Sequence, residues 1–188
     1  MTKILFVCHG NICRSPMAEF VMKDLVKKAG LESQFHIESA ATSTEEIGNP
    51  VYPPARRKLA EHGISCEGKT ARQLTNGDYD QYDLLIGMDR ANLRNMHRIC
   101  GGDPDGKLRL LMNYADRREG APAKPPFRLC GERSRSGMSE LSASAGSEGY
   151  EACGDDVADP WYTDDFETTW RDVLEGCQGL LGQLTDCR

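Results

Sequence analysis

The amino-acid sequence predicts an α/β fold built on a parallel sheet. Short apolar runs at 4–7, 35–41 and 84–86 alternate with longer segments of helical periodicity. That order is expected when each strand is followed by a crossover helix. Leu84-Leu85-Ile86 is continuously apolar, as in a strand covered on both faces. The first run also passes directly into a turn containing Gly10 and Asn11 and then into a helix-like segment. In an open parallel sheet, ligands bind at such joints, beyond the carboxyl ends of the strands.

The elements follow in order. Residues 3–7 form a strand. Residues 17–29 carry apolar side chains at 17, 18, 21, 22, 25 and 26, the stripe of an amphipathic helix, with Gly30 as its stop. Residues 35–41 form the second strand, and 54–62 a short helix ending at Gly63. Residues 82–88 hold the third strand. Asp89 is placed to cap the helix that follows, which runs to about Cys100. Residues 107–112 form the fourth strand. Residues 166–184 form the last helix, with Phe166, Trp170, Val173, Leu174, Cys177, Leu180, Leu181 and Leu184 on one core-packing face.

One segment stands apart. Within 121–155, 14 of 35 residues are Gly, Ser or Pro, and no periodicity appears. Its first half is basic (Lys124, Arg128, Arg133, Arg135) and its second acidic and Ser-rich. Such a composition cannot bury a core. The chain is therefore expected to be a single domain, 1–188, interrupted by a flexible insertion at 121–155. A surface excursion is one reading of the insertion, since long loops add little closure entropy. A regulatory contact or gate is the other. Cys130 and Cys153 flank its middle and could pair on oxidation.

Composition excludes several classes. A net charge of −6 with 28% charged residues argues against non-specific nucleic-acid binding. No stretch is long enough to span a membrane, and nothing resembles a signal peptide. Eight cysteines in a chain this rich in ordinary core residues do not require a disulfide framework, and no pair shows zinc spacing repeated downstream. Reduced cysteines and a cytoplasmic location are expected. Cys66, Cys100, Cys177 and Cys187 are expected to pack rather than to ligate.

The chemistry concentrates in Cys8-His9-Gly10-Asn11-Ile12-Cys13-Arg14-Ser15, followed by Pro16. A Cys, five residues and an Arg at a strand-to-helix turn suit a site that holds a phosphate-like dianion against a thiolate. Loop amides and the helix N-terminus point at the anion, and the helix dipole favours it. The same field favours an ionised, nucleophilic Cys8. Arg14 supplies a planar fork for two phosphate oxygens. Gly10 and Asn11 tolerate the positive φ angles of a tight cradle. Ser15 can donate to the Cys8 sulfur and also act in the helix's first turn. Cys8 alone would equally suit a buried strand end; the surrounding residues favour the anion site.

The run from Val7 to Pro16 resembles the V-C-x-G-N-x-C-R-S-P motif of the low-molecular-weight protein tyrosine phosphatases. Ser39-Ala40-Ala41-Thr42-Ser43, Ala71-Arg72-Gln73, Met88-Asp89-Arg90-Ala91-Asn92-Leu93 and Asp159-Pro160-Trp161-Tyr162 resemble later signatures of that family, over residues 1–120 and 156–188. The resemblance implies a four-stranded parallel sheet in the order 2-1-3-4. It implies hydrolysis of protein phosphotyrosine through a phosphocysteine, without metal or cofactor. Cys8 is then the nucleophile, Arg14 and the loop 9–13 with Ser15 the phosphate site, and Asp159 the general acid. Asp155, Asp156, Asp164 and Asp165 compete with Asp159 on composition, and only the Asp-Pro-aromatic-aromatic match singles it out. Trp161 and Tyr162 would wall a slot deep enough to select a phenyl ring.

The resemblance also frames three departures and the alternatives. His9 stands where relatives often carry a small residue. Glu45 falls where many place an aromatic cleft wall, so an acid there should disfavour acidic phosphopeptides. Lys69 falls where many bacterial relatives have a His that supports Asn11 and Ser15, which puts that support in question. Relatives with the Cys8–Cys13 pair can join it as a disulfide on oxidation; packing beneath the loop is the other role for Cys13. Ile12 favours phosphotyrosine over phosphoarginine, because relatives resembling arginine phosphatases tend to carry Thr there. An arsenate reductase would need a further cysteine pair after the third strand, where only Cys100 lies. A binding module without catalysis predicts loss of Cys8, Arg14 or Asp159, and all three are present. A displaced Asp159 loop would leave such a module.

Overall fold

The computed structural model describes residues 1–115 and 156–186. The expectations for 121–155, including Cys130, Cys153 and Asp155, and for Cys187 lie outside the described residues.

Four parallel strands, β1 (Thr2–Cys8), β2 (Phe35–Ala41), β3 (Leu84–Gly87) and β4 (Leu108–Leu110), form one sheet in the order β2-β1-β3-β4. The first strand is central because it is the most apolar: Ile4 to Val7 are fully buried. Alternate residues enter two cores, Ile4 and Phe6 on one face, Leu5 and Val7 on the other. The register pairs Cys8 with Ala41 and Val7 with Gly87, so the carboxyl ends of three strands meet beside Cys8.

The helices are α1 (Arg14–Lys28), α2 (Pro53–Glu61), α3 (Asn76–Gln81), α4 (Arg90–Cys100), the single turn α5 (Pro160–Thr163) and α6 (Phe166–Asp186). The first helix starts three residues earlier than its apolar stripe suggests. Arg14 and Ser15 are already helical, and Pro16 sits in the first turn, where its missing N–H is no loss. Asp89 caps α4 by accepting from Asn92 N at 2.6 Å, and Gly101 closes the helix in the left-handed conformation.

One expectation needs correction, and one element had no expectation. The fourth strand ends at Leu110, not 112, because residues Leu111–Asn113 turn as a short 3-10 helix and lay Leu111 on α6. There a Cβ on Gly176 would stand 2.6 Å from Leu111 Cγ. The segment at 76–81, which carries no helical stripe, is α3. Asp78 accepts from Thr75 N at 2.7 Å and Thr75 Oγ1 at 2.9 Å, so local capping replaces amphipathicity there. Cys66, Cys100 and Cys177 are buried and free. Among the described residues no helix is long and apolar enough to cross a membrane.

Candidate active site

The turn 9–13 joins β1 to α1, and its shape is set by Asn11. This residue is fully buried with a left-handed backbone, φ 59°. Its side chain is fully used: Nδ2 donates to Ser15 Oγ (2.9 Å) and Ser39 Oγ (2.8 Å), and Oδ1 accepts from Arg72 N (3.1 Å). A short amide is one of the few side chains that tolerates this conformation, and the three bonds offset its cost. The loop's far side is stitched by Thr42 N to Cys8 O and Ser43 N to His9 O. Gly10 leaves room for Glu46, whose Cγ would lie 3.1 Å from an added Cβ.

Cys8 Sγ lies 3.0 Å from Ser15 Oγ and 3.3 Å from Asn11 N. Asn11 donates to Ser15 Oγ, so the single Ser15 proton goes either to the sulfur at 3.0 Å or to the Ala40 carbonyl at 3.4 Å, and the sulfur is the nearer acceptor. Cys13 stands at the N-cap of α1 and makes no side-chain cap bond, so the first amides of the helix have no cap from it. Arg14 is buried and spans two carboxylates. Nη1 meets Asp89 Oδ2 at 2.7 Å, and Nη2 meets Asp159 Oδ2 at 2.6 Å. Burial would lower the Arg14 pKa, but the charges of Cys8, Asp159 and Asp89 reverse that, and the net shift is upward.

Cys13 is buried within the loop. Desolvation first, then the charge of Cys8, pushes its thiol up to about 12. It is therefore a neutral thiol at physiological pH. His9 and Glu45 face solvent and bond each other at 3.1 Å. Ile12 is buried, and its carbonyl accepts from Tyr52 N at 2.9 Å.

Asp159 caps the turn α5 through Oδ1, which accepts from Trp161 N at 3.1 Å. Trp161 leans on the Tyr52 ring at 5.6 Å, and Tyr52 in turn on Phe166 at 6.2 Å. Tyr162 points outward, 84% exposed, against 57% for Trp161. Tyr52 and Trp161 therefore pack as an aromatic pair beside the Asp159 turn, and Tyr162 stands in solvent.

Asp89 was legible only as a helix cap, yet its second oxygen holds Arg14. Ser39, Glu19 and Tyr52 carried no site expectation. Glu19 has a signal in hindsight: it is a carboxylate among the buried positions Met17, Ala18, Val21 and Met22. It accepts from Ser39 Oγ at 2.5 Å and is paired with Lys23 (2.5 Å) and Lys69 (2.9 Å). Lys69 also donates to Ser39 O at 3.0 Å. The lysine that placed the support of Asn11 and Ser15 in question thus takes part in it, through Glu19 and Ser39.

A parallel sheet that ends in an amide cradle around a thiol, with a buried guanidinium beside it, is the architecture of a cysteine-dependent phosphatase. The sequence matches the family model described as low molecular weight phosphotyrosine protein phosphatase over residues 3–146. It is 32% identical over 184 residues to the low molecular weight protein-tyrosine-phosphatase YfkJ of Bacillus subtilis (strain 168), covering 98% of this chain and 96% of the relative. The crystal structure of YfkJ superposes with a TM-score of 0.78 at 30% identity, covering 100% of this chain and 97% of that one. The low molecular weight protein tyrosine phosphatase from Streptococcus pyogenes, SP-PTP, follows with a TM-score of 0.70 at 35% identity, covering 98% and 93%. The chain belongs to the low molecular weight phosphotyrosine protein phosphatase family, and it is a protein-tyrosine phosphatase.

Proposed function

We propose that this phosphatase works through Cys8 as nucleophile, Arg14 with the loop 9–13 and Ser15 as the phosphate site, and Asp159 as general acid and base. The observation that carries the assignment is the contact between Arg14 Nη2 and Asp159 Oδ2 at 2.6 Å. It brings a carboxylate from the far end of the chain to the same guanidinium that flanks the thiol. The same contact argues against the displaced acid loop considered from the sequence.

The substrate dianion enters the cradle and takes the Arg14 fork. The Cys8 thiolate attacks phosphorus in line, an S–P bond forms, and the P–O bond to the phenolic oxygen breaks. Protonated Asp159 delivers its proton to the leaving phenolate. The resulting carboxylate then takes a proton from water, which attacks phosphorus and breaks the S–P bond. Cys8 returns as thiolate, Asp159 is again protonated, and tyrosine and phosphate are released. Ser15, donating to sulfur, stabilises the thiolate as leaving group in this second step.

Tyr52 and Trp161 flank the ring of the substrate, and Glu45, tied to His9, sits at the rim. The chain is read as one domain interrupted at 121–155, a reading supported by residues of 1–115 and 156–186 sharing one hydrophobic core. That segment, outside the described residues, is proposed as a surface insertion that leaves the catalytic domain intact. A reducing, cytoplasmic setting fits the free cysteines of the described residues. The test is steady-state hydrolysis of a phosphotyrosine peptide beside phosphoarginine and phosphoserine in EDTA. Turnover confined to phosphotyrosine, lost in Cys8→Ser, is expected; turnover surviving in Cys8→Ser would remove the nucleophile.

A further inference from the structure

Asp159 has to hold its place after its visible partner has gone. In this structure its carboxylate rests on Arg14. When a phosphoryl group occupies the Arg14 fork, that support is lost, and the carboxylate is held only by its Oδ1 cap on Trp161 N (3.1 Å) and by the placement of its own backbone. The residue before it, Ala158, has both of its peptide groups held by side chains of α6. Its N–H donates to Asp172 Oδ2 at 2.9 Å, and its carbonyl accepts from Thr169 Oγ1 at 3.0 Å. Thr169 is fully buried, and its hydroxyl also lies 3.1 Å from Asp165 O. One hydroxyl therefore sits between the carbonyls at the two ends of the acid-bearing loop. Nothing about helix formation demands Thr at 169 or Asp at 172, and β-branched Thr is a weaker helix former than Ala or Leu.

On the acid assignment made above, we propose that Thr169 and Asp172 are positioning residues for Asp159, clamping Ala158 so that the carboxylate stays in line with the leaving oxygen once Arg14 has turned to the phosphoryl group. The clamp acts through the backbone and touches neither substrate nor sulfur. Its loss should leave phosphate binding intact and weaken only the proton transfer, where displacement of about 1 Å can cost up to about 100-fold.

The test is kcat/KM on a series of aryl phosphates with Thr169→Val and Asp172→Ala, each also made in an Asp159→Ala background. Expected is a loss of about 10-fold on phenyl phosphate and less than about 3-fold on aryl phosphates with strongly electron-withdrawing rings, whose phenolates leave unprotonated. Inhibition by inorganic phosphate should not change. Thr169→Ser and Asp172→Asn keep a hydroxyl and an acceptor oxygen and should restore the rate. In the Asp159→Ala background neither substitution should cost more. Equal losses across all leaving groups, or losses that persist without Asp159, would overturn the clamp, as would unchanged rates on phenyl phosphate. If Thr169→Val does not fold, Asp172→Ala at its half-buried site decides alone. A leaving-group dependence that fails to steepen in Asp159→Ala itself would instead overturn the acid assignment.

Discussion

Replacing Asp89 should separate its two duties. Its Oδ2 faces Arg14 Nη1 at 2.7 Å with both side chains nearly buried (5% and 7% exposed), and its Oδ1 caps α4 through Asn92 N at 2.6 Å. Breaking a buried pair by removing one partner costs about 3–5 kcal/mol, and losing a cap about 1 kcal/mol. Asp159 still faces Arg14 Nη2, so the stranded guanidinium keeps one counter-charge and the pair term falls to the lower part of its range or below. Asp89→Ala should therefore destabilise by about 3 kcal/mol, which for a chain of this size is a fall in Tm of about 6–12 °C. Asp89→Asn keeps an oxygen for the cap but turns its Nδ2 at Arg14 Nη1, donor against donor, so it recovers only the cap and should fall by about 1 kcal/mol less. Both should lower kcat/KM more than Tm implies, because the Arg14 fork loses the group that orients it. Thermal unfolding with and without phosphate, beside aryl phosphate kinetics, reads both effects. A Tm within 2 °C of wild type for Asp89→Ala, or equal losses of Tm in the Ala and Asn variants, would refute the reasoning.

Three further outcomes are expected. Alkylation by iodoacetamide near neutral pH should modify Cys8 and spare Cys13, whose thiol burial pushes up to about 12, and inorganic phosphate should protect Cys8; peptide mapping that finds Cys13 labelled first would contradict this. Asn11→Ala should cost about 3 kcal/mol or more, since it puts a Cβ-bearing residue without a compensating amide at φ 59° and strips partners from Ser15, Ser39 and Arg72 N; chemical denaturation checks it. Burial raises the Glu38 carboxyl, but hydrogen bonds from Tyr82 (2.6 Å) and Arg72 (3.2 Å) outweigh this and hold it below its ordinary 4.5. Its contribution to stability is then complete above the unfolded value and fades as pH falls through the lower folded one, so Glu38→Gln should flatten the acid limb of a stability profile below pH 4.5.

What could be read from the sequence was local. The strand, turn and helix that hold Cys8 lie within one stretch, and their signals are apolar runs, Gly and Asn in a turn, and a fixed spacing. The Asp89 cap was equally visible, being a relation between neighbours. Its bond to Arg14 was not, because those residues are brought together by the strand order, and no pattern in the intervening chain encodes the orientation of a second oxygen. Tyr52 was hidden for the same reason, since its ring meets Trp161 only when α2 and α5 converge. The fourth strand was overextended because Leu111 and Met112 are apolar for the sake of α6, not of the sheet. Helix α3 has no stripe to detect, being held by its cap and by Tyr79 in the second core.

The long segment before the acid loop makes the role of α6 clearer. The chain approaches that segment with Leu111 and Tyr114 packed on Gly176 and Gly179, where a Cβ on Gly179 would overlap the Tyr114 carbonyl. It returns with Val157 N bonded to Met88 O (2.8 Å), Asp156 accepting from Arg90 N (3.2 Å), and Ala158 held by Thr169 and Asp172. Both flanks are thus fixed within about three turns of one helix. Asp159 follows that return by a few residues, so its location depends on what α6 and the start of α4 offer to 156–158. Selection on the acid's geometry would fall on those residues.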